Sequence, residues 1–60
     1  MDVYRAYFLD TGGKIERPPV VLECDDDPQA IELARPMVDD HDVEIWQGNR
    51  YITVLKRDVT

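Results

Sequence analysis

A chain of 60 residues with 43% hydrophobic and 33% charged content has room for one small domain, residues 1–60, and too much apolar content for a wholly disordered chain. Its formal charge of −6, with seven scattered basic residues, excludes counterion release from nucleic acid as a driving force, since that needs clustered Lys and Arg. No run approaches the roughly 20 apolar residues of a membrane span, no signal-like stretch opens the chain, and the single cysteine, Cys24, allows no internal disulfide. The expectation is a cytoplasmic protein with neither nucleic acid nor membrane as partner.

Val3 to Leu9 is rich in β-branched and aromatic residues and precedes Asp10-Thr11-Gly12-Gly13, so a strand over about 3–9 runs into a turn. The period of two puts Tyr4, Ala6 and Phe8 on one face and Val3, Arg5, Tyr7 and Leu9 on the other. A second strand is expected over 14–23, but Pro18-Pro19 lack amide donors, which makes it an edge strand or bends it. Asp25-Asp26-Asp27-Pro28 reads as a helix start with Asp27 as cap and Pro28 in the first turn. The helix, about 28–38, carries Ala30, Ile31, Leu33, Ala34, Met37 and Val38 as an apolar stripe. Pro36 removes the hydrogen bond to the carbonyl of Glu32, so a kink or an early end is expected.

Strands over 42–47 and 50–56 flank Gly48-Asn49, a good pair for a type II′ or I′ turn. A plain hairpin sets Trp46 opposite Tyr51, Ile45 opposite Ile52, Glu44 opposite Thr53 and Val43 opposite Val54. Val43, Ile45, Ile52 and Val54 then share an aliphatic face, and Trp46, Tyr51 and Leu55 the other. The tail from Arg57 is expected to fray. The whole reads as an α+β fold: a two-layer β-β-α-β-β arrangement, a mainly antiparallel four-stranded sheet with one helix on one face.

The segments Tyr4-Arg5-Ala6-Tyr7-Phe8-Leu9-Asp10, Cys24-Asp25-Asp26-Asp27, Ala30-Ile31-Glu32-Leu33-Ala34-Arg35 and Val43-Glu44-Ile45-Trp46 resemble those of small uncharacterised bacterial proteins of about this length, a domain family of unknown function. The resemblance covers nearly the whole chain. It is one of architecture-bearing segments and implies no activity, cofactor or catalytic residue. Pro18-Pro19 and Pro36 depart from the usual pattern, which bears on the second strand and the helix end.

One helix covers one sheet face, and a domain of about this size leans on a disulfide, a metal or self-association. The uncovered face carries Arg5, Tyr7, Trp46, Tyr51 and Leu55, with aromatic and Arg types enriched at interface hot spots. The expectation is a homodimer formed through this face or by pairing edge strands, with a further protein partner as an option. Asp25, Asp26 and Asp27, and Asp40, His41 and Asp42, are the weak candidates for a divalent cation; helix capping accounts for the first group, and the helix holds the groups about 16 Å apart. Cys24 reads as a small buried hydrophobe, its thiol kept protonated by neighbouring acids, and His41 as a solvated loop residue. The chain has no Ser, so no Ser-His-acid arrangement is available, and Gly12-Gly13-Lys14 lacks the surroundings of a phosphate loop. No cofactor and no catalytic residue is expected. The reading is a non-enzymatic accessory or regulatory interaction module; the alternative is a small-ligand or divalent-metal-binding protein whose site is completed across a dimer.

Overall fold

The structure, a computed structural model, describes residues 2–38 and 41–57. Strand β1 (Asp2–Leu9) is followed by β2 (Val20–Cys24), helix α1 (Asp27–Ala34), a 3-10 turn (Arg35–Met37), β3 (Asp42–Gln47) and β4 (Arg50–Leu55). The four strands form one antiparallel sheet in the order β2-β1-β3-β4. The expected α+β architecture, a four-stranded antiparallel sheet with one helix on one face, is what the chain adopts.

Local chemistry explains the departures from the expected boundaries. The second strand is confined to Val20–Cys24 because Pro18 and Pro19 cannot donate to the ladder. Upstream of them, the bridge between Leu9 and Ile15 and the bond from Glu16 N–H to the Phe8 carbonyl (2.9 Å) tie the chain's backbone to β1. Ala6 pairs with Val20 and Leu9 with Ile15, so the proline side carries two extra residues and swings out of the sheet. Asp10 closes the preceding turn: its carboxylate accepts the amides of Gly12 (2.9 Å) and Lys14 (3.0 Å), and Gly13 supplies the positive φ of 81°.

The helix cap is Asp26, one residue before the expected Asp27. Its carboxylate accepts the Gln29 amide at 3.0 Å, and the Gln29 side chain accepts the Asp25 amide at 2.7 Å, a reciprocal arrangement close to a capping box. The α-helix stops at Ala34, where Pro36 in the 3-10 turn has no amide for Glu32. The early end, rather than a kink, is the outcome. Leu33, expected in the apolar stripe, is 46% exposed; the short helix buries a narrow seam of Ala30 and Ala34.

The core lies between helix and sheet. Tyr4, Ala6 and Phe8 from β1, Leu22 and Cys24 from β2, Val43 and Ile45 from β3 and Ala30 and Ala34 from α1 are buried together, with Ile31, Met37, Val38, Ile52 and Leu55 packed around them. In the β3–β4 turn Gly48 has φ 61° and Asn49 is not positive, which excludes type I′ and fits type II′.

The expected hairpin register holds at Trp46 opposite Tyr51 and fails beyond it. A β-bulge lies between Ile45 and Trp46, so Ile45 faces Thr53, Glu44 faces Val54 and Val43 faces Leu55. Ile52 is the extra residue on β4. A bulge keeps two successive residues on similar sides of the strand and restores alternation one position later, so Leu55 joins the helix-side core and Val54 is carried to the opposite face.

Candidate functional site

The sheet face opposite the helix is ordered by the pairing. Val21, Arg5, Trp46 and Tyr51 form one line across all four strands, and Tyr7, Glu44 and Val54 form the next line across three. Trp46 and Tyr51 meet edge to face, centroids 5.3 Å apart at 69°, a favoured aromatic geometry. The Trp46 indole N–H donates to Glu44 Oε1 at 3.3 Å. Around these residues Val3, Val21, Ile15 and Tyr51 are 45%, 55%, 58% and 46% exposed. A shallow open depression of about 300 Å³ lies among Tyr7, Ile15, Glu44, Trp46 and Gly48.

Four of the five residues expected on this face are there: Arg5, Tyr7, Trp46 and Tyr51. Leu55 is the correction, since the bulge turns it onto the core. Leu9, on the Tyr7 side by alternation, is 8% exposed yet outside the helix-side cluster; its bridge partner is Ile15.

Among the described residues the acidic candidates do not converge. Asp26 caps the helix, and the Asp25 amide is held by Gln29. Asp42 accepts the Arg57 amide at 2.8 Å and lies 3.4 Å from Lys56 Nζ; that amide bond, with help from the cations beside it, holds its carboxyl below the usual range. Asp40 lies outside the described residues. Among the described residues no group of three His, Cys, Asp or Glu side chains is placed to hold a metal. His41 is no solvated loop residue. Its ring packs edge-on against Phe8 at 5.0 Å and 83°, Nε2 lies 3.0 Å from the Met37 carbonyl, and Nδ1 is 3.5 Å from Glu16. The Arg17 guanidinium sits 4.9 Å from the centre of the same Phe8 ring. Cys24 is 1% exposed, and burial, followed by Asp25 and Asp26, pushes its thiol up.

Asp27, displaced from capping, makes the contact that the sequence reading missed. Its carboxylate accepts the Tyr4 hydroxyl at 2.6 Å and a two-pronged contact from Arg50, Nη2 to Oδ1 at 2.9 Å and Nη1 to Oδ2 at 3.2 Å. Gln47 Oε1 accepts Arg50 Nε at 3.1 Å and steadies the guanidinium. The helix start, the central strand and the last turn are thereby joined. Tyr4 has its ring in the core, 1% exposed, and its hydroxyl on this acid, which is how a buried tyrosine satisfies its polar end.

The network sets a pH window. The Arg50 and Tyr4 hydrogen bonds hold the Asp27 carboxyl below its ordinary 3.8, and the bond to Asp27, then burial, pushes Tyr4 up from 10.0 to about 12. A lowered acid contributes stability above its unfolded value, lost as pH falls through the lowered one. A raised phenol contributes stability below its unfolded value, lost as pH rises through the raised one. The network is therefore fully stabilising between about pH 4 and 10. Asp27→Asn is expected to remove this share of the acid sensitivity and to bring the Tyr4 titration down, read by ultraviolet absorbance of the phenolate. An unchanged tyrosine titration in the variant would contradict the assignment.

No protein-family model, no curated protein and no solved structure matches the chain. Fold and face define its class by architecture: a small two-layer α+β module with one sheet face left open by its helix. Among the described residues no helix is long and apolar enough to cross a membrane.

Proposed function

We propose that the chain is a non-enzymatic accessory or regulatory interaction module that self-associates through the open sheet face. The observation that carries this reading is the line Val21, Arg5, Trp46 and Tyr51, flanked by Tyr7 and Val54, on the face opposite the helix. Apolar and aromatic side chains on a rigid sheet, with Arg among them, match the composition of interface centres. Size supports the same reading: a domain of about 60 residues buries only some 60% of the surface its unfolded chain exposes and gains much from association. A second copy is the simplest partner, because the commonest oligomer is a twofold dimer of like surfaces.

Trp46→Glu tests the reading. The carboxylate would be placed at the centre of the face, where burial without a partner is strongly unfavourable. The wild type is expected to be a dimer by light scattering across a dilution series, and the variant a monomer or unfolded. A folded variant with unchanged mass would remove this face from the interface.

A further inference from the structure

Arg5, Trp46, Tyr7 and Glu44 are two successive cross-strand pairs on the open face of the two central strands, Arg5 with Trp46 and Tyr7 with Glu44. They make a four-cornered patch whose diagonals are unlike. One diagonal joins the two aromatic rings, Tyr7 and Trp46. The other joins a cation and an anion, Arg5 and Glu44. Among the described residues neither Arg5 nor Glu44 is in an ion pair, whereas Arg17, Arg35, Arg50, Lys56, Asp27 and Asp42 all are.

Resting on the self-association reading above, we propose that two copies pack face to face about a twofold axis along the Tyr7–Trp46 diagonal, so that Arg5 of each copy meets Glu44 of the other. A twofold rotation lying between two sheets leaves points on the axis facing themselves and exchanges points on either side of it. Tyr7 therefore meets Tyr7 of the second copy and Trp46 meets Trp46, while both charge contacts are attractive at once. An axis along the other diagonal would set Arg5 against Arg5 and Glu44 against Glu44, a repulsive arrangement. The charge pattern thus selects one of the two diagonal dockings.

Geometry fits this occupant. With strands about 4.8 Å apart and same-face neighbours about 6.8 Å apart, the two sheets cross at roughly 70°, nearer the orthogonal than the aligned class of sheet packing. The Cα trace extends 34 × 21 × 15 Å, and a two-layer molecule is thinnest across its layers. Crossed at roughly 70°, two such faces overlap over a patch about 21 Å on a side, a small contact beside the roughly 800 Å² per partner of a standard interface, so the paired charges rather than the area set this docking. The depression among Tyr7, Ile15, Glu44, Trp46 and Gly48 lies over the patch and receives the second copy's Arg5.

The test is a charge swap between chains. Arg5→Glu alone presents two acids at the patch and Glu44→Arg alone two bases, so each is expected to weaken its own homodimer at least about tenfold. Mixed, the two variants are expected to form a heterodimer at near wild-type affinity, read by native mass spectrometry and light scattering. Both variants stay net negative, so overall charge cannot draw them together, and a contact confined to one chain cannot produce rescue in trans. Circular dichroism checks that each is folded. If a reversed charge costs the fold, Arg5→Gln and Glu44→Gln replace it: each is expected to weaken the dimer, and both together no more than one, as coupling across a single contact requires. A dimeric wild type whose variants associate unchanged, or fail to rescue one another, overturns this docking and leaves the self-association reading standing. A monomeric wild type overturns both.

Discussion

Ile45→Ala is expected to remove a large share of the chain's folding stability at 25 °C. Ile45 is 0% exposed and among the largest fully buried side chains; it lies on an inner strand between Ala6 and Thr53. Removing its outer carbons forfeits their transfer free energy and leaves a cavity, together about 2–5 kcal/mol. A domain of this length has a total stability of only about 3–9 kcal/mol, so the loss is comparable with the whole. The cavity will not collapse readily, because the bulge at Ile45/Trp46 already fixes the strand on its far side. Urea titration followed by circular dichroism checks this, with Ile45→Val as the graded control at about 1 kcal/mol. A midpoint for Ile45→Ala within error of wild type would mean that this position is not the packed centre of the core.

Ala30→Leu is expected to be nearly as damaging by the opposite route. Ala30 and Ala34 are each 0% exposed, as is Ala6 of β1 in the same buried cluster, so the seam between helix and sheet is filled by small side chains. Leucine has almost the helix propensity of alanine, so any loss reports packing rather than helix formation. Extra carbons in a filled seam cost about 1–3 kcal/mol through displaced side chains and backbone. The helix has only eight residues, held otherwise by Ile31 against the core and by the Asp27 contacts at its start. Thermal unfolding is expected to show a clear fall in midpoint for Ala30→Leu and almost none for Leu33→Ala, whose side chain is half exposed. Equal effects at both positions would refute the assignment of the helix face.

Alternation within the first strand was legible in the sequence, whereas the apolar stripe of the helix reads too broad at Leu33. Alternation along β1 placed Tyr4, Ala6 and Phe8 inward and Arg5 and Tyr7 outward, and the proline pair marked an edge strand. Whatever depended on an inserted residue was not legible. The run Ile52-Thr53-Val54-Leu55 satisfies a plain alternating hairpin as well as a bulged one, so its composition carries no sign of the slip, and plain alternation puts Leu55 on the wrong face. The Asp27 contacts were hidden for another reason. Tyr4 and Arg50 each lie 23 residues from Asp27, and capping by Asp27 is as good a local explanation as capping by Asp26. Only the folded chain decides which aspartate turns towards the helix amides and which towards the strands.

The Pro18-Pro19 break has a consequence for how far such a molecule can assemble. A sheet that lengthens without limit needs two receptive margins, so that the last strand of one molecule can add to the first strand of the next. Here one margin is five residues long and preceded directly by two imino acids, while the other, β4, is unbroken by proline. Head-to-tail growth is thereby handicapped at every junction. Contact through β4 uses the receptive margin of both molecules and leaves only blunted ones outside. Growth by strand addition alone would therefore be expected to stop at two chains, whatever the open sheet face does.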